Sequence, residues 1–158
     1  MSSLSEALSP FSSVVVTGGS SGLGKSFIEL SAKLKPGLVF CNLSRRKPDI
    51  KNIGERLNHF PCDLSRADEV SRAAGEVEAL LRREAPAGAV LLINNSGFGA
   101  YGRFPEPNLS HQLEMLDVNV RALVQLSGQL LPFLKERGGV IVNVASTAAF
   151  QPTPFMAA

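Results

Sequence analysis

The sequence has little net charge, no long apolar run and no secretory leader, and each absence excludes a class of protein. Sixteen lysines and arginines face 14 aspartates and glutamates, for a net charge of +2, whereas a nucleic-acid-binding protein needs a clustered basic face. No stretch approaches the roughly 20 apolar residues that span a bilayer. The N-terminus lacks the positive charge and apolar core of a signal peptide. We therefore expect a cytoplasmic protein that binds neither nucleic acid nor membrane.

Cysteine and histidine are also scarce. The two cysteines, Cys41 and Cys62, lie in apolar surroundings, and neither they nor His59 and His111 show metal-ligand spacing. We interpret the cysteines as reduced core thiols, with a disulfide between neighbouring strands as the alternative. Both histidines are interpreted as structural, and no metal site is predicted.

Short apolar runs alternate with helical periods along the 158 residues, which indicates one α/β domain. One helix should follow the first strand and end at Pro36-Gly37. A second should open with a capping box of Ser65 and Asp68, and a long third one should run from Leu109 to Lys135. The predicted strands are Val14–Thr17, Leu38–Leu43, His59–Cys62, Val90–Ile93 and Val140–Val144.

A glycine-rich run follows the first predicted strand: residues 17–24 read Thr-Gly-Gly-Ser-Ser-Gly-Leu-Gly. Glycines between a strand and a helix let the backbone approach a phosphate, and the helix N-terminus adds N–H donors and partial positive charge. The spacing G-x-x-x-G-x-G departs from the commonest dinucleotide fingerprint, so a turn without a ligand is the alternative. The candidate phosphate-binding residues are Thr17, Gly18, Ser20, Ser21, Gly22, Leu23 and Gly24.

Polar signals then recur where later strands end. They are Asp63, Asn94-Asn95-Ser96-Gly97, Asn119 in the long helix, and Ser146. With the glycine-rich run, this order resembles the classical short-chain dehydrogenase/reductase family over nearly the whole chain after Phe11.

The resemblance implies a Rossmann-like, doubly wound parallel sheet in the order 3-2-1-4-5. It also implies a nicotinamide dinucleotide site in a domain over residues 12–158, which a flexible segment, 1–11, would precede. In that family Asp63 would meet the adenine amino group beside the Leu64 backbone, with a cap or turn as its alternative role. The remaining residues implied around the cofactor are Asn95, Ser96 and Gly97.

The residues after the second strand point to NADP rather than NAD. An acidic residue there binds the ribose 2′-hydroxyl, whereas arginine accommodates a 2′-phosphate. Here Ser44-Arg45-Arg46 follows, and no carboxylate occurs until Asp49. Arg45 could fork two hydrogen bonds onto phosphate oxygens, supported by Ser44 and Arg46. A solvated basic turn is the alternative.

Half of a catalytic site is present. By resemblance, Ser146 hydrogen-bonds the substrate oxygen and Asn119 positions a water in a proton relay. Their alternatives are a cap for Ser146 and an amide satisfied by backbone for Asn119. The family's tyrosine, with a lysine four residues on, would fall about a dozen residues after the serine, where this sequence reaches Ala158. The only tyrosine, Tyr101, precedes Pro105 by four residues and is not expected to substitute.

We therefore expect the N-terminal part of an NADP-dependent oxidoreductase acting on a carbonyl or alcohol, inactive by itself. A catalytically inactive nucleotide-binding or regulatory module is the alternative. The resemblance implies that the complete protein is a homodimer or homotetramer. Without the next helix and the two further strands of that family, an apolar helix face and a sheet edge would be bare, which predicts poor solubility or association of these 158 residues. Aromatic residues in two loops suggest an apolar substrate; they are Phe98, Tyr101, Phe104, Phe150 and Phe155.

Overall fold

The computed structural model describes residues 4–51, 53–85, 87–103 and 108–156. Its strands are β1 Phe11–Thr17, β2 Val39–Ser44, β3 Leu57–Pro61, β4 Ala89–Asn94 and β5 Val140–Asn143. Its α-helices are α1 Leu4–Leu8, α2 Gly22–Leu34, α3 Ala67–Glu84, α4 Leu109–Leu116 and α5 Ala122–Arg137. A π-helical turn, Asp117–Arg121, joins α4 to α5, and short 3₁₀ turns lie at Gly54–Arg56 and Thr147–Ala149.

The strands form one parallel sheet in the order β3-β2-β1-β4-β5, which confirms the predicted fold. The central strand β1 pairs Val14 with Phe40 on one side and with Leu91 on the other. The connections of β1 to β2 and of β4 to β5 run through α-helices, the usual crossover between parallel neighbours. The carboxyl ends of all five strands consequently share one edge, where ligands of such sheets bind.

Apolar side chains cover both faces of the sheet. Val15 and Leu92 contribute to a cluster against α3 and α5, whereas Val14 and Val16 pack with Ile28 of α2 on the other face. Burial on two faces explains why these strands read as continuous apolar runs rather than as alternating ones.

The N-terminal segment carries more structure than its sequence suggested. Leu8, at the end of α1, is buried, and Phe11 already belongs to β1. The Lys35 ammonium donates to the Ser9 carbonyl at 2.7 Å and to the Phe11 carbonyl at 2.6 Å, which ties this segment to the end of α2. Its flexibility stays a prediction.

The long third helix is interrupted, contrary to the sequence prediction. The chain leaves α-geometry between Asp117 and Arg121, where the hydrogen-bonded turn is wider. Single turns of this kind are frequent at functional sites. Beyond it α5 continues to Arg137, and Gly138 ends it with a φ of +73°.

An apolar surface lies along α4 and α5. Its exposed side chains are Leu109, Leu113, Leu116, Val120, Val124 and Leu131. Val140 and Val142 of the edge strand β5 are exposed as well. Within the described ranges, no helix combines the length and the apolar character needed to cross a bilayer.

Candidate functional site

A cleft of about 660 Å³ opens at the carboxyl ends of the strands. It brings together residues that are far apart in sequence: the glycine-rich turn, the end of β2, the segment after β3 and the segment after β4. All candidate cofactor residues except Thr17 and Gly24 line it. These are Gly18, Ser20, Ser21, Gly22, Leu23, Ser44, Arg45, Arg46, Asp63, Leu64, Asn95, Ser96 and Gly97.

The glycine-rich turn depends on backbone conformations that glycine adopts readily. Gly18 has a φ of +73° and Gly22 a φ of +55°, both in the left-handed region. Ser21 is the N-cap of α2 and Gly22 its first residue. The N-terminus of this helix, with its N–H groups and partial positive charge, therefore lies at the cleft wall.

Thr17 and Gly24 act from behind the cleft. The Thr17 hydroxyl oxygen accepts hydrogen bonds from the N–H groups of Asn95 at 2.9 Å and Ser96 at 3.0 Å. A Cβ at Gly24 would lie 2.5 Å from the Gly18 carbonyl oxygen and 2.6 Å from Asn95 Nδ2. These two positions hold the turn against the segment after β4.

Basic side chains occupy the end of the cleft next to β2. Arg45 and Arg46 are exposed and line it, so their guanidinium groups are accessible to an anion. Ser44 is buried instead, and its hydroxyl donates to the Arg46 carbonyl at 2.7 Å. Ser44 thus shapes the loop that carries the arginines.

The Asp63 carboxylate lies at the same end of the cleft. Burial opposes its ionisation, but hydrogen bonds from Ser65 and the charges of Arg45 and Arg66 hold its pKa below the usual value. Its Oδ1 accepts from the Ser65 hydroxyl at 2.8 Å and from the Ser65 N–H at 3.0 Å. Asp63 therefore fills the turn role while lining the cleft.

The predicted capping box of Ser65 and Asp68 at the start of α3 is wrong, because the Ser65 hydroxyl is bound to Asp63. Ser65 donates its hydroxyl to Asp63, so the helix begins at Ala67 with Arg66 as N-cap and no side-chain cap. Arg66 instead pairs with Glu69 at 3.1 Å.

Asn119 lies in the π-helical turn and reaches across to the segment after β4. Its Oδ1 accepts from the Phe98 N–H at 3.1 Å, and its Nδ2 donates to the Phe98 carbonyl at 2.8 Å. The amide is thus satisfied by backbone, as the alternative reading held, but by a segment outside its own helix. Asn119 does not line the cleft.

Ser146 follows β5 and is exposed. Its hydroxyl oxygen accepts from the Ala148 N–H at 3.1 Å and caps the turn Thr147–Ala149. The cap assigned to it as an alternative is therefore present, and its catalytic role stays a prediction.

The aromatic loop residues divide into two groups. Phe98 lines the cleft and lies against His111, with ring centroids 5.1 Å apart. Tyr101 packs on Phe155 at 5.5 Å, and Phe150 is exposed. Phe104 lies outside the described residues.

Three side chains from the long helix region line the cleft although the sequence did not predict it; they are His111, Glu114 and Val118. Cys62, which was assigned to the core, and Phe98, which was assigned to a substrate loop, line it as well. The three from the long helix region recur at helical spacing, a signal that could have been read as a wall facing the strand ends. His111 Nδ1 lies 3.8 Å from Glu114 Oε2.

The cysteines carry free thiols and are both buried, as predicted. Burial raises the pKa of the Cys62 thiol to about 11, with Glu69 adding to the effect. Among the described residues, no three histidine, cysteine or acidic side chains group as metal ligands would.

Replacing Asn119 with leucine should lower the free energy of unfolding by about 1–3 kcal/mol, because the Phe98 N–H and carbonyl both lose their partner. Urea unfolding followed by circular dichroism measures this. Gln129→Leu is the control: this exposed amide donates to the Ser71 hydroxyl, and its loss should cost less than about 0.5 kcal/mol. Equal effects of the two substitutions would show that the hydrogen bonds between Asn119 and Phe98 contribute no more to the free energy of unfolding than an exposed pair does.

Known proteins resemble this chain in both sequence and fold. The sequence profile of the short chain dehydrogenase family matches residues 12–158. An uncharacterized oxidoreductase of Schizosaccharomyces pombe is 26% identical over 149 residues, covering 92% of this chain and 48% of that protein. The chain spans about half the length of the curated relatives it matches.

Two solved structures illustrate the likeness. The 3-ketoacyl-(acyl-carrier-protein) reductase from Brucella melitensis, complexed with NADH, is 29% identical with a TM-score of 0.77, over 92% of this chain and 61% of that one. L-sorbose reductase from Gluconobacter frateurii, complexed with NADPH and L-sorbose, is 24% identical with a TM-score of 0.76, over 93% and 57%. The second likeness concerns the fold alone. The chain belongs to the classical short-chain dehydrogenase/reductase family.

Proposed function

We propose that this chain carries the dinucleotide site, and part of the catalytic site, of an NADP-dependent oxidoreductase acting on a carbonyl or alcohol. One observation carries the proposal: the glycine-rich turn, Arg45 and Asp63 line a single cleft at the carboxyl ends of the strands. The glycine turn fits a diphosphate, because the helix N-terminus supplies donors and the glycines leave room for close approach. A nicotinamide cofactor also occurs in both structural neighbours described above.

NADP is proposed over NAD because of charge. Arg45 and Arg46 are exposed at the cleft, and a guanidinium can bind two phosphate oxygens in parallel. One neighbour holds NADH and the other NADPH, so this preference rests on the arginines of the present chain.

Within the cleft, Asp63 and the Leu64 backbone would meet the adenine, and residues 95–97 would wall the ribose and nicotinamide side. When bound, the nicotinamide supplies or accepts the hydride. The charge that develops on the substrate oxygen then needs a donor. The Ser146 hydroxyl retains its proton for that purpose, since its contact with Ala148 uses only the oxygen as an acceptor.

Asn119 would act in the proton relay close to the cofactor. It holds the backbone of Phe98, a residue of the cleft wall. Its amide oxygen and its amide nitrogen each contact the Phe98 backbone, so a relay water would have to approach an amide that already has two partners. We propose a positioning contribution together with the relay role.

A nucleotide-binding module without turnover is the second candidate. Within these 158 residues Tyr101 is the only tyrosine, and the residue four positions on is Pro105. The Tyr101 side chain is 74% exposed and packs on Phe155.

The 158-residue chain should bind NADPH but neither oxidise an alcohol nor reduce a carbonyl, because no Tyr-x-x-x-Lys occurs in it. Fluorescence titration with NADPH and NADH tests binding, and a panel of apolar and polar alcohols and carbonyls tests turnover. Turnover by these residues alone would refute the requirement for the tyrosine.

The coding sequence after Ala158 separates the two candidates. A tyrosine followed four residues later by a lysine, with turnover of the extended protein, supports the oxidoreductase. A continuation without that pair supports the binding module. The extended protein is also the form in which to test two further proposals, that the substrate is apolar and that the protein forms a homodimer or homotetramer.

A further inference from the structure

A buried amide links the two sides of the cleft. Asn42, on β2, is fully buried. Its Oδ1 accepts from the Gly19 N–H at 2.7 Å, and its Nδ2 lies 2.8 Å from Ser44 Oγ and 3.0 Å from His59 Nδ1. Gly19 belongs to the glycine-rich turn, and Ser44 holds the loop of Arg45 and Arg46. The same side chain thus touches the supports of both proposed phosphate-binding segments.

The chemistry of the groups fixes which way the amide points. A backbone N–H can only donate, so the atom of Asn42 facing Gly19 must be the carbonyl oxygen. The NH₂ group then faces Ser44 and His59, and its two hydrogens suffice for both. The Ser44 hydroxyl accepts from Asn42 and donates to the Arg46 carbonyl. His59 Nδ1 must therefore be unprotonated, with the ring neutral.

Gly19 is packed so closely against this amide that an added Cβ would force a neighbouring side chain to shift. A Cβ there would lie 2.4 Å from Asn42 Oδ1 and 2.6 Å from Ile28 Cδ1. The turn cannot slide along β2 without losing the Gly19–Asn42 hydrogen bond. Its other tie to this strand is the bond from the Gly18 N–H to the Leu43 carbonyl, at 2.9 Å.

We propose that Asn42 is a positioning residue for the glycine-rich turn, and that neutral His59 holds its amide in the productive orientation. The proposal rests on the dinucleotide site proposed above. Asn42 would act on a ligand only through Gly19, Ser44 and the segments they hold.

Protonation of His59 would oppose this arrangement. An imidazolium carries N–H donors on both nitrogens, so Nδ1 would face the Asn42 NH₂ donor to donor. Burial lowers the pKa of His59, a backbone hydrogen bond with Asn42 acts the other way, and the Lys47 charge lowers it further. Lys47 lies on the segment after β2, and its positive charge disfavours a positive charge on this ring. The network should hold while His59 is neutral and should be lost as the pH falls through the His59 pKa, which lies below its ordinary value of 6.5.

The first test removes the acceptor. In Asn42→Leu the Gly19 N–H has no partner, so its hydrogen exchange, followed by NMR on the 158-residue chain, should accelerate at least about tenfold. The dissociation constant for NADPH should rise about tenfold or more. Unchanged Gly19 exchange would overturn the proposal.

Two further variants keep the proposal testable if Asn42→Leu does not fold. Their readout is the pH dependence of NADPH affinity and of Gly19 protection, which a merely structural role of His59 would not change. His59→Gln offers an acceptor that does not titrate, so the fall in NADPH affinity and Gly19 protection between about pH 7 and pH 5 should disappear. Asn42→Asp places a carboxylate beside the ring and should raise the His59 pKa, so that acid no longer weakens the network. Wild-type-like acid sensitivity in both variants would refute the role of His59.

The outcomes separate this proposal from the proposed function. A wild-type chain that binds neither NADPH nor NADH refutes the dinucleotide site. Gly19 exchange and the His59 titration still decide whether Asn42 positions the turn, because neither measurement needs a ligand.

Discussion

Replacing Arg45 with alanine should raise the dissociation constant for NADPH by roughly 10- to 100-fold and leave that for NADH nearly unchanged. The estimate corresponds to losing charge-assisted hydrogen bonds to a 2′-phosphate, a group that NADH lacks. Arg45 is exposed at the cleft, so the substitution should remove the contact without disturbing the core. Fluorescence titration with both cofactors at one ionic strength measures the effect.

Lys51→Ala is the matched control. It removes one positive charge from an exposed position in the segment that follows the arginines, but Lys51 does not line the cleft. We expect less than about a threefold change for NADPH, because exposed charges at a distance are screened by salt. Similar losses from both substitutions would mean that general charge, rather than a fork at Arg45, attracts the cofactor. Equal affinity of the unaltered chain for NADPH and NADH would contradict the phosphate assignment.

Replacing Gly24 with alanine should lower the free energy of unfolding by about 1–3 kcal/mol and abolish measurable binding of either cofactor. The new Cβ would lie 2.5 Å from the Gly18 carbonyl oxygen, which is a backbone atom and cannot rotate away as the end of a side chain could. Relief requires the turn to move away from α2, which displaces the N–H groups that a diphosphate would need. Urea unfolding and NADPH titration measure the two effects separately.

Gly75→Ala provides the contrast. Gly75 lies in α3, where an added Cβ meets nothing within 4 Å. Alanine there should raise the free energy of unfolding by about 0.5–1 kcal/mol, because glycine loses more backbone entropy in a helix. Binding of both cofactors should be unchanged. A Gly24→Ala variant as stable and as competent as Gly75→Ala would show that the close packing of the turn is dispensable.

Local patterns were sufficient for the sheet. Runs such as Val14–Val16 and Val90–Ile93 are apolar throughout because both faces of a parallel sheet are covered, and the structure confirms them within β1 and β4. The ends of the strands were predicted less accurately. The sequence predicted that the first strand starts at Val14, whereas β1 begins at Phe11. The interruption at Asp117–Arg121 was missed because helical periodicity continues across a single wide turn.

Sequence motifs identified the candidate residues of the site, but they did not predict which other residues those side chains contact. Asn119 and Phe98 were both named, but the contact between them, across 21 positions, was not predicted. Ser65 was assigned to a capping box, and competition from Asp63 decided otherwise. A polar side chain has several partners within reach in a folded chain, and local sequence does not rank them.

The strand and helix alternation, the glycine-rich turn after β1 and the basic residues after β2 could be predicted from the order of the amino acids. These features depend on short-range periodicity and on the backbone freedom of single residues. The link that Asn42 makes between Gly19 and His59, and the place of His111 and Glu114 in the cleft wall, could not be predicted in this way. Such contacts join residues from separate elements, and they exist only once parallel strands bring their carboxyl ends to one edge of the sheet.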